Sequence, residues 1–319
     1  MFSNGFLMTK APPSERWQRF YPMLYVPATR PDLEDILGDS SRSCPHCVTV
    51  CLEDAVAPFD RVKAAESLAA ILEKLPVVPS SFFVRPADDD MLNRVLDTFP
   101  LHRISGIVLP KATVERVNRW VELTNGFIRI VPILESREAL DPAGRIDLSS
   151  VCNAHRTVID FVRIGANDLL RLLGGLRRPK GRTIYETAVG GVIDSLLEAF
   201  SLIDLPLCAP VFDHISDEAT LARELEEDVN RGLFSKTAIH PSQLAPIWNS
   251  YRPSRTEIHD ALRILHPDSP AVMSSNGSML EKACHSTWAK RILLLAELHR
   301  IPFDGDSKLA EIVFQESET

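Results

Sequence analysis

Apolar residues along the chain gather in short, nearly unbroken runs: Met23–Val26, Val48–Leu52, Phe82–Val84, Gly106–Leu109, Phe127–Leu134, Phe161–Ile164, Leu207–Phe212 and Lys236–Ile239. Several are apolar without strict alternation, the pattern of strands buried on both faces of a parallel sheet. Between the runs the period changes. Val62, Ala65, Ala69, Leu72 and Leu75 share one helical face of 61–75, and Leu221, Leu225 and Val229 recur every four residues in 217–231. Strands separated by amphipathic helices imply right-handed crossovers and a parallel sheet. Eight such units predict an α/β chain folded as a closed (β/α)8 TIM barrel over residues 21–250. A doubly wound open sheet is the competing architecture, but the first strand runs into Pro27-Ala28-Thr29-Arg30-Pro31 and not into a glycine-rich turn.

The flanks read differently. Residues 1–20 are expected to form a loose N-terminal arm, and 251–319 a C-terminal helical extension that packs on the barrel or on a neighbouring subunit. In the extension a helix is predicted from Arg252-Pro253-Ser254 to about Leu265, then a loop over 266–278. A second helix starts near Met279, with Trp288, Ile292, Leu295 and His299 on one face.

Composition narrows the function classes. The chain of 319 residues carries 35 basic and 43 acidic side chains, a net charge of −8, with 45% apolar and 24% charged residues. Such a chain has enough apolar surface to fold, and its acidic balance argues against binding a nucleic-acid backbone. No stretch approaches the ~18 apolar residues of a membrane span. The run Phe6–Met8 is too short for the ~7–15-residue core of a signal peptide, so a cytoplasmic location is expected. Of six cysteines, Cys44, Cys47 and Cys51 cluster. No second Cys or His pair completes a tetrahedral zinc site, and reduced structural thiols are expected.

Polar residues directly after the apolar runs carry the candidate chemistry. Glu53-Asp54, Arg85, Lys111, Glu135, Asn167-Asp168, Asp213 and His240 each stand at the end of a predicted strand. In a parallel barrel those ends share one rim, where side chains distant in sequence meet. Helix capping accounts for Asp168 or Asp213 taken singly, and a belt of salt bridges is the structural alternative for the whole set. A mouth with several carboxylates and few histidines suits a hard divalent cation, and Mg2+ takes one or two carboxylates with waters and substrate oxygens. Glu135 and Asp168, from adjacent strands, are the candidate pair. Arg85 is suited to hold a substrate carboxylate or a developing oxyanion. The segment Gly174–Arg182, with Arg177, Arg178, Lys180 and Arg182, is either a phosphate-holding loop or a solvated one.

These fragments resemble, in order from about Met23 to Ala289, the HpcH/HpaI aldolase and citrate lyase family, in its citrate lyase beta-subunit-like group. Tyr25-Val26-Pro27-Ala28-Thr29-Arg30-Pro31 resembles the family's opening V-P-G-x-R-P, and Cys51-Leu52-Glu53-Asp54-Ala55-Val56 its D-L-E-D-A-V, with Cys51 in place of the first acid. Val84-Arg85-Pro86, Leu109-Pro110-Lys111, Ile133-Leu134-Glu135-Ser136 and Gly165-Ala166-Asn167-Asp168-Leu169 are similar to V-R-x-N, L-P-K, I-E-T and G-x-x-D-L. The most specific match is Ala238-Ile239-His240-Pro241-Ser242-Gln243 to I-H-P-x-Q. The departures resemble a divergent subgroup of tellurium-resistance-type biosynthetic clusters.

The resemblance implies a (β/α)8 barrel, Mg2+, and homo-oligomers (trimers or multiples of them) whose C-terminal arms cross between subunits. It implies a lyase that breaks a carbon–carbon bond beside a carbonyl in a small oxo- or hydroxy-acid or its acyl-CoA thioester. By motif position Glu135 and Asp168 are the implied metal ligands. Arg85 is the substrate contact, Glu53 and Asp54 are supporting catalytic carboxylates, and Arg30 and Lys111 line the site. Glu281 occupies the place of an acid that reaches a neighbouring site.

A metal-stabilised enolate, with Glu53, Asp54 or a partner's Glu281 moving the proton, is the expected mechanism. Two other readings stay open: Lys111 as a metal-free Schiff-base nucleophile, and a non-catalytic barrel that binds a phosphorylated small molecule in a biosynthetic complex.

Overall fold

The computed structural model describes residues 21–38, 46–76, 81–233 and 235–302. The arm over 1–20, Cys44 and the tail over 303–319 lie outside the described residues. The chain divides into two compact units, with the boundary between Ser250 and Tyr251.

The first unit is an eight-stranded parallel barrel. Its strands are β1 (Met23–Pro27), β2 (Cys47–Leu52), β3 (Phe82–Pro86), β4 (Gly106–Leu109), β5 (Ile130–Leu134), β6 (Val162–Ile164), β7 (Leu207–Cys208) and β8 (Thr237–Ala238). They pair in chain order from β1 to β7, with β8 beside β1. A parallel bridge between Ala209 and Lys236 closes the ring. The strand face turned into the barrel carries Met23, Cys47, Phe83, Val108, Val131, Ile133, Phe161 and Cys208, packed as one cluster. The other face is buried under helices, so β2, β4 and β5 have no exposed position.

Some expectations need correction. The fifth strand starts at Ile130, not Phe127. Asn125 and Gly126 take left-handed φ of 49° and 64° as the preceding helix ends, and Phe127 is left 55% exposed. The last two strands are shorter than the apolar runs. Beyond them the Gln243 side chain takes over from the ladder: its oxygen accepts the Ile239 N–H at 2.9 Å and its amide donates to the Phe212 carbonyl at 2.9 Å. In the helix Arg61–Lys74 the buried stripe is Ala64, Ala65, Leu68 and Leu72, and Val62 faces solvent.

The second unit has its own core. A helix over Arg255–Leu265, capped by Ser254, and a helix over Lys282–Leu298 bury Ile258, Ala261, Ile264, Ala289, Ile292 and Leu293 between them. Residues 272–281, expected as loop to 278 and as helix from about Met279, form an antiparallel hairpin of β9 (Val272–Ser275) and β10 (Ser278–Glu281), and the helix starts at Lys282. Asn276 and Gly277 turn it with φ of 49° and 79°, the two left-handed positions of a tight hairpin. Trp288 is 37% exposed, whereas Ile292, Leu295 and His299 on its expected face are buried. Among the described residues no helix is long and apolar enough to cross a membrane.

Candidate active site

The carboxyl ends of the strands surround a cavity of about 460 Å³, lined among others by Tyr25, Asp54, Arg85, Glu135, Arg163 and Asp168. Parallel strands place these ends on one rim, so residues from β1, β2, β3, β5 and β6 meet there.

Arg85 and Lys111 tie the acidic side chains together. The Arg85 guanidinium lies 2.5 Å from Glu53, 3.5 Å from Glu135 and 3.7 Å from Asp54, and 5.8 Å from the centre of the Tyr25 ring. Glu53, 3% exposed, also receives the Lys111 ammonium. The same ammonium lies 3.0 Å from Asp54. Burial works against the Lys111 charge, yet its hydrogen bonds to Glu53 and Asp54 hold its pKa above the usual lysine value. The lysine is therefore a fixed ammonium, which counts against its use as a Schiff-base nucleophile. Burial likewise opposes the Asp54 charge, but hydrogen bonds with Lys111 and Glu53 keep that carboxyl below its ordinary value.

Glu135 is built into the wall. Lys111 takes a left-handed φ of 50°, and its backbone N–H donates to Glu135 Oε1 at 2.8 Å. Oε2 lies against Gly165, where an added Cβ would stand 2.0 Å from it. A glycine is therefore required for the Glu135 carboxylate to sit where it does. Burial pushes this carboxyl up to about 7; Arg85 opposes the rise and the negative charge of Asp168 adds to it. Asp168 stands in the first turn of the helix Ala166–Leu172. Arg171 contacts only its Oδ1, at 2.8 and 3.2 Å. Asn167 donates to Asp213 at 2.8 Å on the same rim.

The fold thus gathers Glu53, Asp54, Arg85, Lys111, Glu135 and Asp168 and leaves Arg30 apart. Arg30 is exposed, pairs with Asp32 at 2.6 Å and does not line the cavity. The loop Gly174–Arg182 divides. Arg178 is buried against Glu224 at 3.1 Å and donates to the Val211 carbonyl at 2.9 Å, while Arg182 pairs with Glu186 at 3.0 Å. Arg178 is therefore a structural ion, not part of a phosphate cradle.

Two lining residues escaped the sequence reading, Tyr25 and Arg163. Both lie within strands, and only their period-two parity with the rim residues marks them as inward-facing. The described cysteines are free thiols, and Cys47 is raised to about 12 by burial. Among the described residues no group of three or more His, Cys, Asp or Glu is placed to hold a metal ion.

Comparison with known proteins agrees with this architecture. A family model described as a carbon–carbon bond lyase of the TIM-barrel fold matches residues 22–301, and the chain belongs to that family. A citrate lyase subunit beta-like protein of Deinococcus radiodurans is 24% identical over 272 residues, covering 80% of this chain and 88% of the relative. A (3S)-malyl-CoA thioesterase of Cereibacter sphaeroides is 26% identical over 246 residues, covering 76% and 81%. Among solved structures, the CitE protein of Mycobacterium tuberculosis, in complex with magnesium, acetoacetate and coenzyme A, superposes with a TM-score of 0.66 at 24% identity. That match covers 88% of this chain and 99% of CitE.

Proposed function

We propose that this carbon–carbon bond lyase is Mg2+-dependent and cleaves a small oxo- or hydroxy-acid, or its acyl-CoA thioester, by a retro-aldol or retro-Claisen route. The observation that carries this reading is that Glu135, Asp168 and Arg85 face one cavity on the strand-end rim. The donor set fits the ion. Glu135 and Asp168 offer hard oxygens, Asp168 Oδ2 is outside the Arg171 contacts, and two carboxylates are what Mg2+ asks of a protein that leaves room for waters and substrate. Glu135 and Asp168 would hold such an ion, which would supply positive charge to stabilise a developing enolate.

The chain's own residues do the rest. Arg85 presents a guanidinium to the oxygen on which negative charge grows as the carbon–carbon bond breaks. Glu53, locked between Arg85 and Lys111, positions that guanidinium. Asp54 is anionic and faces the cavity, so it is the group placed to take the proton of a substrate hydroxyl. The malyl-CoA thioesterase relative and the coenzyme A bound by CitE support a thioester as one form of the substrate.

Titration calorimetry with Mg2+ tests the reading. The unmodified chain is expected to bind the ion, and Glu135→Ala and Asp168→Ala are each expected to abolish binding. Unchanged affinity in both variants refutes it.

A further inference from the structure

Two groups inside the barrel have no part in the chemistry described so far. Arg163, in β6, is 2% exposed and lines the cavity. Among the described residues it has no ion pair: one terminal nitrogen donates to the Thr237 hydroxyl, and its Nε has no partner. Tyr25, in β1, lines the same cavity and packs on the interior cluster. Its hydroxyl is buried and has no partner either. A buried guanidinium without a counter-charge and a buried phenol without an acceptor each cost stability. Orphans of this kind inside a cavity point to a charge that exists only during turnover. Burial raises the Tyr25 phenol to about 12, so it keeps its proton at rest; Arg163 and then Arg85 act in the opposite direction and favour the phenolate. Arg85 stands 5.8 Å from the centre of the Tyr25 ring. The cationic donors of the rim are already committed, Lys111 to Glu53 and Asp54 and Arg85 to Glu53, Asp54 and Glu135.

We propose that Tyr25 is a catalytic acid that delivers a proton to the enolate carbon once the carbon–carbon bond has broken, and that Arg163 is the counter-charge of the phenolate left behind. The assignment rests on the lyase reading and supplies the proton that reading leaves unassigned. With a hydroxy-acid, Asp54 takes the hydroxyl proton, the carbon–carbon bond breaks, and its electron pair passes into the enolate. That pair then forms a carbon–hydrogen bond with the Tyr25 proton while the phenol O–H bond breaks. An enolate carbon is a stronger base than a phenolate, and a phenolate a stronger base than a carboxylate. Both the transfer from Tyr25 and the return of the Asp54 proton to it, through cavity water, therefore run downhill and restore the resting chain.

A group that protonates the carbon also removes that proton in reverse, so exchange of methyl protons with deuterium oxide tests the assignment. Proton NMR follows it on the full chain with Mg2+, with pyruvate and acetyl-CoA as probes. The unmodified chain is expected to exchange at least one of them. Tyr25→Phe keeps the ring and removes an unsatisfied hydroxyl. It is expected to melt no lower than the parent, to bind pyruvate as before in calorimetry, and to exchange about a hundredfold or more slowly. Arg163→Met is expected to slow exchange about tenfold or more, and Arg163→Lys, which restores the charge, to recover most of it. If Tyr25→Phe does not fold, the Arg163 pair carries the test. Exchange in Tyr25→Phe within about threefold of the parent overturns the acid role. No loss in Arg163→Met, or an equal loss in Arg163→Lys, overturns the counter-charge. No exchange of either probe by the unmodified chain counts against the enolate itself, and so against the lyase reading and this assignment together.

Discussion

Replacing Glu135 by Gln removes a carboxyl whose ionisation the fold resists. Burial carries its pKa from 4.5 to about 7, and at ~1.4 kcal/mol per pH unit that interval amounts to about 3 kcal/mol. The folded state holds the proton more tightly than the unfolded chain. The associated stability is fully present below the unfolded value of 4.5 and is lost as the pH rises through about 7. Glutamine keeps an oxygen for the Lys111 N–H, now at 2.8 Å, and has nothing to titrate. The Tm of Glu135→Gln minus that of the parent should therefore climb between about pH 5 and about pH 7 and then level off. At ~2–4 °C per kcal/mol for a domain of this size, the climb is on the order of 6–12 °C. Thermal melts followed by circular dichroism, in chelator and at matched ionic strength, measure it, and groups common to both proteins cancel in the difference. A difference that stays flat with pH, or falls, refutes the claim that burial dominates this carboxyl.

The packing around the site sets three further outcomes. Gly165→Ala places a Cβ where Glu135 Oε2 now lies, so the variant should fold and yet lose Mg2+ binding in calorimetry; retained binding contradicts the close fit. Lys111 is held as an ammonium by Glu53 and Asp54, so borohydride reduction with pyruvate should leave no adduct in the intact mass; an adduct on Lys111 restores the Schiff-base route. Lys236, fully buried, lies 2.7 Å from Glu224 and 3.0 Å from Asp228, and Lys236→Met leaves Asp228 without a cation and Glu224 with Arg178 alone. It should lower the urea-unfolding free energy by about 3–5 kcal/mol, and an unshifted midpoint contradicts this.

The barrel and its rim were legible because two periodicities carry them. Runs such as Gly106–Leu109 have the length and burial of strands, and polar residues directly after such runs land at the strand ends whatever the helices do. What escaped depended on context that periodicity does not encode. The hairpin around Asn276-Gly277 read as loop, because in the short strands beside it only Leu280 is buried and no hydrophobic pattern marks them. Arg178 sits among four basic residues of nine, and only the buried Glu224 at 3.1 Å turns it inward. Arg163 interrupts Phe161–Ile164 with a charge, and without the ring closed there was no way to see that its strand face looks into a cavity. Arg30 was placed by motif alone, and the nearby Asp32 claims it.

The central claim is that Glu135 and Asp168 hold one ion against the substrate. A crystal soaked with Mg2+ and pyruvate measures it directly. The account predicts a single ion coordinated by Glu135 and Asp168, with pyruvate oxygens completing its shell beside Arg85. Pyruvate bound in the cavity with no ion on those two carboxylates, or an ion held elsewhere on the rim, would contradict it.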